Sequence, residues 1–133
     1  MKVESYLFFE GRCEEAIIFY QKTLGVKVER LERYKDSPVS PETQRSPDKV
    51  MHGSFIIGET RVLVSDGRCR GKTNFSGFAL TIMADSDAEA EKYFAALSEN
   101  GQVRMPLATT FFASKFGMVL DQFGVMWMVL VST

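Results

Sequence analysis

Apolar and polar residues along the chain fall into two successive runs with the same grammar. "SYLFF", Ser5 to Phe9, is aromatic and apolar and predicts a strand. Ala16, Phe19, Tyr20 and Leu24 then recur at helical spacing over Glu14 to Thr23, with Glu14 and Glu15 at the positive end of the dipole and Gly25 as the stop. "VKVERLERY" returns as a strand. Residues 33–50, "RYKDSPVSPETQRSPDKV", hold three of the four prolines and predict a long loop, read here as a flap. "MHGSFIIGETRVLVSD" gives two strands around a turn at Gly58 and Glu59.

The second run opens with "GFALTIMADS" as a strand. Ser86 with Glu89 matches a capping box, and Ala90, Tyr93, Phe94 and Leu97 form an amphipathic helix face ended by Gly101. "QVRMPLATTFF" reads as extended, and "KFGMVLD" and "VMWMVLV" as a hairpin turned at "DQFG", where Asp121 shapes the turn through its side chain. The expected class is α+β, two β-α-β-β-β modules over residues 1–66 and 75–132 of a single domain. Sliding by 74 positions lays Ala16, Phe19 and Tyr20 on Ala90, Tyr93 and Phe94. Sliding by 66 lays Gly58 on Gly124, and Val62 and Val64 on Met128 and Leu130. Internal duplication is the simplest account.

With 133 residues, 45% apolar and 25% charged, the chain can bury a core. Its 16 basic and 17 acidic residues form no long run of one sign, so nucleic acid is not an expected partner. "MKVESYLFF" lacks the apolar core of a secretory signal and no stretch suits a membrane, so a cytoplasmic location is expected. Cys13 and Cys69 stand far apart and are expected as free thiols.

"YLFFEGRCEEAIIFY", "DKVMHGSFIIGETRVLVSD", "GFALTI" and "MPLATTFFASKFGMVLDQFGVMWMV" cover nearly the whole chain. In these segments it resembles the vicinal oxygen chelate superfamily, of the glyoxalase, bleomycin-resistance and dioxygenase type, and within it the PhnB-like branch. The last segment is the most specific. That branch usually has tryptophan where Phe112 stands, proline at Gln122 and arginine at Met126. The resemblance implies a cupped sheet, a homodimer and a small-molecule ligand. It also brings a demethylubiquinone methyltransferase label, which the residues oppose: a methyl transfer from S-adenosylmethionine on a doubly wound fold wants a glycine-rich turn after the first strand, and "EGRCEEA" offers only Gly11.

The superfamily's metal enzymes place ligands at four positions that map here to Ser5, Ser65 or Asp66, Phe78 and Met128. Phe78 has no donor atom and Met128 only a soft thioether, so neither metal nor other cofactor is expected. If the ligand-equivalent position faces the cup, then Met126, Met128 and Leu130 face it and Trp127 and Val129 point to the helices. Met118, Met126 and Met128, with Phe78, Leu80 and Ile82, serve as core or as an apolar ligand wall. Phe111 and Phe112 precede a strand and suit a rim, where Lys115 would meet an anionic group or simply solvent. His52, the only histidine, is a packed or surface residue or the candidate acid or base. The ligand-binding candidates are therefore His52, Ser65, Phe78, Phe112, Lys115, Met118 and Met128. Three functions follow in order: metal-independent binding of a small apolar or aromatic molecule, an enzyme using His52, and a metal lyase or dioxygenase.

Overall fold

The computed structural model describes residues 1–38 and 46–132, and the chain divides into two compact units, Met1–Thr73 and Asn74–Thr133. The first contains β1 (Tyr6–Phe8), α1 (Cys13–Leu24), β2 (Lys27–Arg33), β3 (Val50–Ile57) and β4 (Thr60–Ser65). Its sheet runs β1-β4-β3-β2, with β1 parallel to β4 and the other pairs antiparallel. The second contains β5 (Leu80–Met83), α2 (Asp87–Ser98), β6 (Gln102–Ala108), β7 (Ala113–Leu120) and β8 (Met126–Ser132), in the order β5-β8-β7-β6. Both units are thus β-α-β-β-β, and the class is α+β.

Helix α1 begins at Cys13 with no capping side chain of its own. A carboxylate from the end of β4 supplies the cap. Asp66, 1% exposed, accepts the Gly11 and Cys13 N–H groups on Oδ1 at 2.9 and 2.7 Å, and the Val50 N–H on Oδ2 at 2.7 Å. It therefore satisfies otherwise orphaned donors at the positive end of the dipole while joining three chain segments. At the other end Gly25 adopts φ 66°, as its place after the last apolar residue predicts.

Helix α2 caps itself, Ser86 Oγ accepting the Glu89 N–H at 3.1 Å. It ends at Ser98, and Asn100 rather than Gly101 takes the left-handed conformation, with φ 59°. Gly101 is instead required by a close approach of two backbones, since a Cβ there would lie 2.3 Å from the Leu120 carbonyl oxygen. Asp121 is the buried carboxylate of this unit. Its Oδ1 accepts the Phe123 and Val125 N–H groups at 2.9 and 3.0 Å, and its Oδ2 accepts the Trp127 indole N–H at 2.9 Å.

Alternation assigns the sheet faces. In the first unit Leu7, Phe55, Val62 and Val64 are buried with Ala16, Ile17 and Tyr20 of α1, Tyr20 lying 6.0 Å from Phe55 between ring centres. In the second, Val119, Trp127 and Val129 are buried on the face that carries Phe94 of α2. Two glycines mark the same point in each unit. Gly53 pairs with Val64 and Gly117 with Val129, and at both a Cβ meets atoms at 3.0 Å or less: the Arg30 carbonyl oxygen at Gly53, the Phe94 ring at Gly117.

This register corrects the alignment of the repeats. Val62 and Val64 correspond to Trp127 and Val129, a slide of 65 positions, and not to Met128 and Leu130, which lie on the opposite face. A slip of one residue exchanges the faces of a strand, and β8 is apolar on both, so matching letters cannot detect it.

Part of the expected flap, residues 39–45, lies outside the described residues. Its described ends are tied together. Tyr34–Asp36 form a short 3-10 turn, the Tyr34 N–H donates to the Lys49 carbonyl at 3.1 Å, the Lys35 N–H to that of Pro47 at 3.0 Å, and the Arg33 guanidinium to that of Asp48 at 2.6 Å.

Replacing Asp66 by Asn turns an acceptor into a donor opposite a buried N–H. Asp66→Asn is expected to lose about 2–3 kcal/mol of unfolding free energy in urea titration. A loss within error of zero would show that the cap is not needed.

Candidate functional site

Each sheet has a second face, turned away from its helix, and the two differ in chemistry. In the first unit it carries Tyr6, Phe8, His52, Ser54, Leu63 and Ser65, because Tyr6 pairs with Leu63, Phe8 with Ser65, and Ser54 with Leu63. The Tyr6 and Phe8 rings stack at 4.8 Å with 22° between planes, and the Tyr6 hydroxyl lies 2.8 Å from His52 Nδ1. His52 thus has the partner that sequence could not assign. The signal was the alternation Tyr-Leu-Phe, which puts Tyr6 and Phe8 on one face and Leu7 on the other.

Ser65 is buried beside this pair. Its Oγ accepts the Gly67 N–H at 2.8 Å, and the Tyr34 hydroxyl donates to the Gly67 carbonyl. Burial is the main cause that raises the pKa of both phenols, partly opposed by Ser65. Burial also raises the thiols of Cys13 and Cys69, which are free and so remain poor nucleophiles at neutral pH. Glu32 is the cross-strand neighbour of His52 on β2 and is ion-paired with Arg30.

In the second unit the corresponding face is apolar and rich in sulfur. Met105 pairs with Met118, Met118 with Met128, and Met128 with Thr81, so one row across four strands holds three methionines. Leu120 and Met126 form the next row on one side, Phe116, Leu130 and Met83 that on the other. Five of the chain's seven methionines share this surface. The Phe111, Phe112 and Phe116 rings extend it edge to face, at 5.1 Å from one to the next.

Met118, Met128 and the neighbouring Phe112 are therefore together, and His52 and Ser65 are together in the other unit. Two candidates join neither group. Lys115 pairs with Val131 after a bulge and lies 3.8 Å from Glu91 of α2, on the helix side. Phe78 precedes β5, because Gly77 adopts φ 80° and the strand starts only at Leu80; the Phe78 ring meets Phe75 edge-on at 6.4 Å. Leu80 and Ile82 pair with Trp127 and Val129 and so belong to the helix side, not to the methionine face.

A hard divalent metal does not fit the positions mapped for it. Both Asp66 oxygens are engaged by backbone N–H groups, Phe78 has no donor, Met128 lies within a thioether row, and Ser5 lies just before β1. Among the described residues no group of three or more His, Cys, Asp or Glu side chains is arranged to hold a metal ion. No helix among them is long and apolar enough to cross a membrane.

Two β-α-β-β-β units of this topology define the glyoxalase-like fold, shared with solved glyoxalase/bleomycin resistance/dioxygenase proteins at 11–13% identity, which shows the fold alone. The chain belongs to the family described as 3-demethylubiquinone-9 3-methyltransferase, whose model matches residues 1–130. It is 34% identical to Protein YjdN of Escherichia coli (strain K12), covering 98% of this chain and 95% of that one. Protein PA1353 from Pseudomonas aeruginosa is similar in structure, with a TM-score of 0.88, 38% identity and coverage of 99% and 98%. A Bacillus cereus protein described as a putative 3-demethylubiquinone-9 3-methyltransferase, PhnB protein, gives a TM-score of 0.84 at 25% identity, covering 99% of this chain and all of that one.

The raised phenols have a consequence at high pH. A folded pKa above the unfolded value of 10.0 contributes stability that is complete below pH 10 and is lost as pH rises through the folded values. Urea unfolding from pH 8 to 11 should therefore show stability falling above pH 10, with a shallower fall in Tyr6→Phe; an equal slope in both proteins would remove Tyr6 as a contributor.

Proposed function

We propose that the protein binds a small apolar or aromatic molecule without a metal ion, using the methionine-lined face of the second unit as the apolar surface. The observation that carries this reading is the row Met105–Met118–Met128, continued by Met126, Met83 and Phe116. Thioether side chains are unbranched and polarizable, so they adapt to flat or irregular ligands and make favourable contacts with aromatic rings.

Methyl transfer, which the family's description names, is not part of this reading. The turn between β1 and α1 has Gly11 as its only glycine, and the Gly11 N–H and the first N–H of α1, that of Cys13, are taken by Asp66. A phosphate or carboxylate of a nucleotide-like cofactor would need those same donors. A second reading, an enzyme with His52 as acid or base, draws support from the 2.8 Å contact between His52 and Tyr6. We also place the protein in the cytoplasm and read it as a homodimer, since among the described residues β2 and β6 end their sheets with unpaired outer edges.

Titration with the neutral fluorophore N-phenyl-1-naphthylamine tests the main reading. Wild type is expected to bind it, Met128→Glu to bind at least tenfold more weakly, and Lys115→Ala to bind as wild type does. Chelator should change neither affinity nor melting temperature. Equal affinity in wild type and Met128→Glu would reject the methionine face, and a melting drop of several degrees on chelation would reject metal independence. For the assembly, light scattering at micromolar concentration should give about twice the 15.0 kDa chain mass; the mass of one chain would refute the dimer.

A further inference from the structure

Sulfur on the open face of the second unit is gathered at one level of the sheet. Met105 pairs with Met118 and Met118 with Met128, so three neighbouring antiparallel strands each present a thioether there. Directly opposed residues on such strands lie about 5 Å apart at Cα and turn their side chains to the same face, which sets the outer two about 10 Å apart with Met118 between them. Methionine is unbranched with three rotatable bonds, so the outer side chains can lean inward over the central one. The row is open to solvent: Met105 is 45% exposed, and Met118 and Met128 are half-buried. It continues to Thr81, and the rows beside it are Leu120 with Met126 and Phe116 with Leu130, residues that bring no carboxylate, imidazole or thiol to the sulfurs.

We propose that Met105, Met118 and Met128 form a thioether site for a soft monovalent metal ion of the copper(I) type. Thioether sulfur is a soft, neutral donor that selects soft ions, whereas zinc, magnesium and calcium want imidazole, thiolate or carboxylate ligands, which these rows do not supply. Charge acts in the same direction. With no anionic ligand to offset it, a single positive charge costs less to bring onto an apolar face than a double one. Of the four positions mapped for a hard metal, this site shares only Met128. It does not depend on the small-molecule reading either: an ion and an aromatic ligand would use the same sulfurs in turn.

Silver(I), an air-stable ion of the same class, tests the proposal on the full chain carrying carbon-13 at its methionine methyl groups, in buffer free of chloride and thiols. The methyl signals of the seven methionines report the row directly, apart from any silver taken by the free thiols of Cys13 and Cys69, which belong to the first unit. The Met105, Met118 and Met128 methyls should shift together along one binding curve, with Met1 and Met51 unmoved and zinc at the same concentration moving none of them. Met118→Leu keeps the volume and removes the central sulfur, so it should weaken the silver response at Met105 and Met128 at least tenfold. Silent methyls at millimolar silver, an equal response at Met1, an equal response to zinc, or unchanged silver affinity in Met118→Leu would overturn the site. The naphthylamine titration is a separate readout: Met118→Leu, still apolar, should keep that binding while losing silver. A protein that takes silver at the row but binds no naphthylamine would reject the small-molecule reading and support the metal site.

Discussion

Three backbone N–H groups, two from the β1–α1 connection and one from the start of β3, converge on the Asp66 carboxylate, and the rest of that unit depends on the arrangement. A buried carboxylate is costly unless its oxygens are satisfied, and here they are satisfied only when β4, the β1–α1 turn and the start of β3 are all in place. The same contact fixes the ends of the strands that carry the open face. Ser65 precedes Asp66 on β4 and His52 lies two residues after Val50, so the clamp positions both. Asp121 does comparable work in the second unit through Phe123, Val125 and the Trp127 indole, locking the β7–β8 hairpin and hence the pairing of Met118 with Met128.

Given the register set by Gly53 and Gly117, the two open faces can be compared position by position. His52 corresponds to Phe116, Ser54 to Met118, Leu63 to Met128, Ser65 to Leu130 and Tyr6 to Thr81. The helix sides remain alike, with Val64 matched by Val129 and Tyr20 by Phe94. Packing against a helix constrains volume and polarity together, whereas the open face is constrained only by what rests on it. The two units are therefore alike on one side and different on the other, one carrying hydroxyl and imidazole groups, the other thioethers.

Most of the fold was legible because its signals are local. Ser86 with Glu89, Gly25 after α1, the Gly58–Glu59 turn and the Asp121 turn each act over a few residues. What escaped depends on distant partners. Nothing in "EGRCEEA" announces that α1 takes its cap from Asp66, so that residue stood among the mapped metal-ligand positions although both its oxygens are engaged by backbone N–H groups. Lys115 read as a rim cation because a bulge between Ala113 and Lys115, which turns it toward Glu91, has no letter of its own. The letters of β8 do not set its faces by themselves; the parity taken from the resemblance puts Trp127 and Val129 on the helix side, and they are buried there with Met126, Met128 and Leu130 on the opposite face.

The clamp also bears on what chemistry the fold can host. In a nucleotide-binding turn the first amides of the helix stay open for a phosphate, and a second or third glycine lets the backbone approach it. Here an internal carboxylate already occupies that electrostatic position, 2.7 Å from the first helical N–H. Recruiting an anionic cofactor there would require breaking the contacts that join β4, α1 and β3, so binding and stability would oppose each other. The sheet faces carry no such conflict. Tyr6, His52 and the methionine row lie away from the helices, where a ligand can be exchanged without disturbing either core, and that freedom makes them the places where function can be carried.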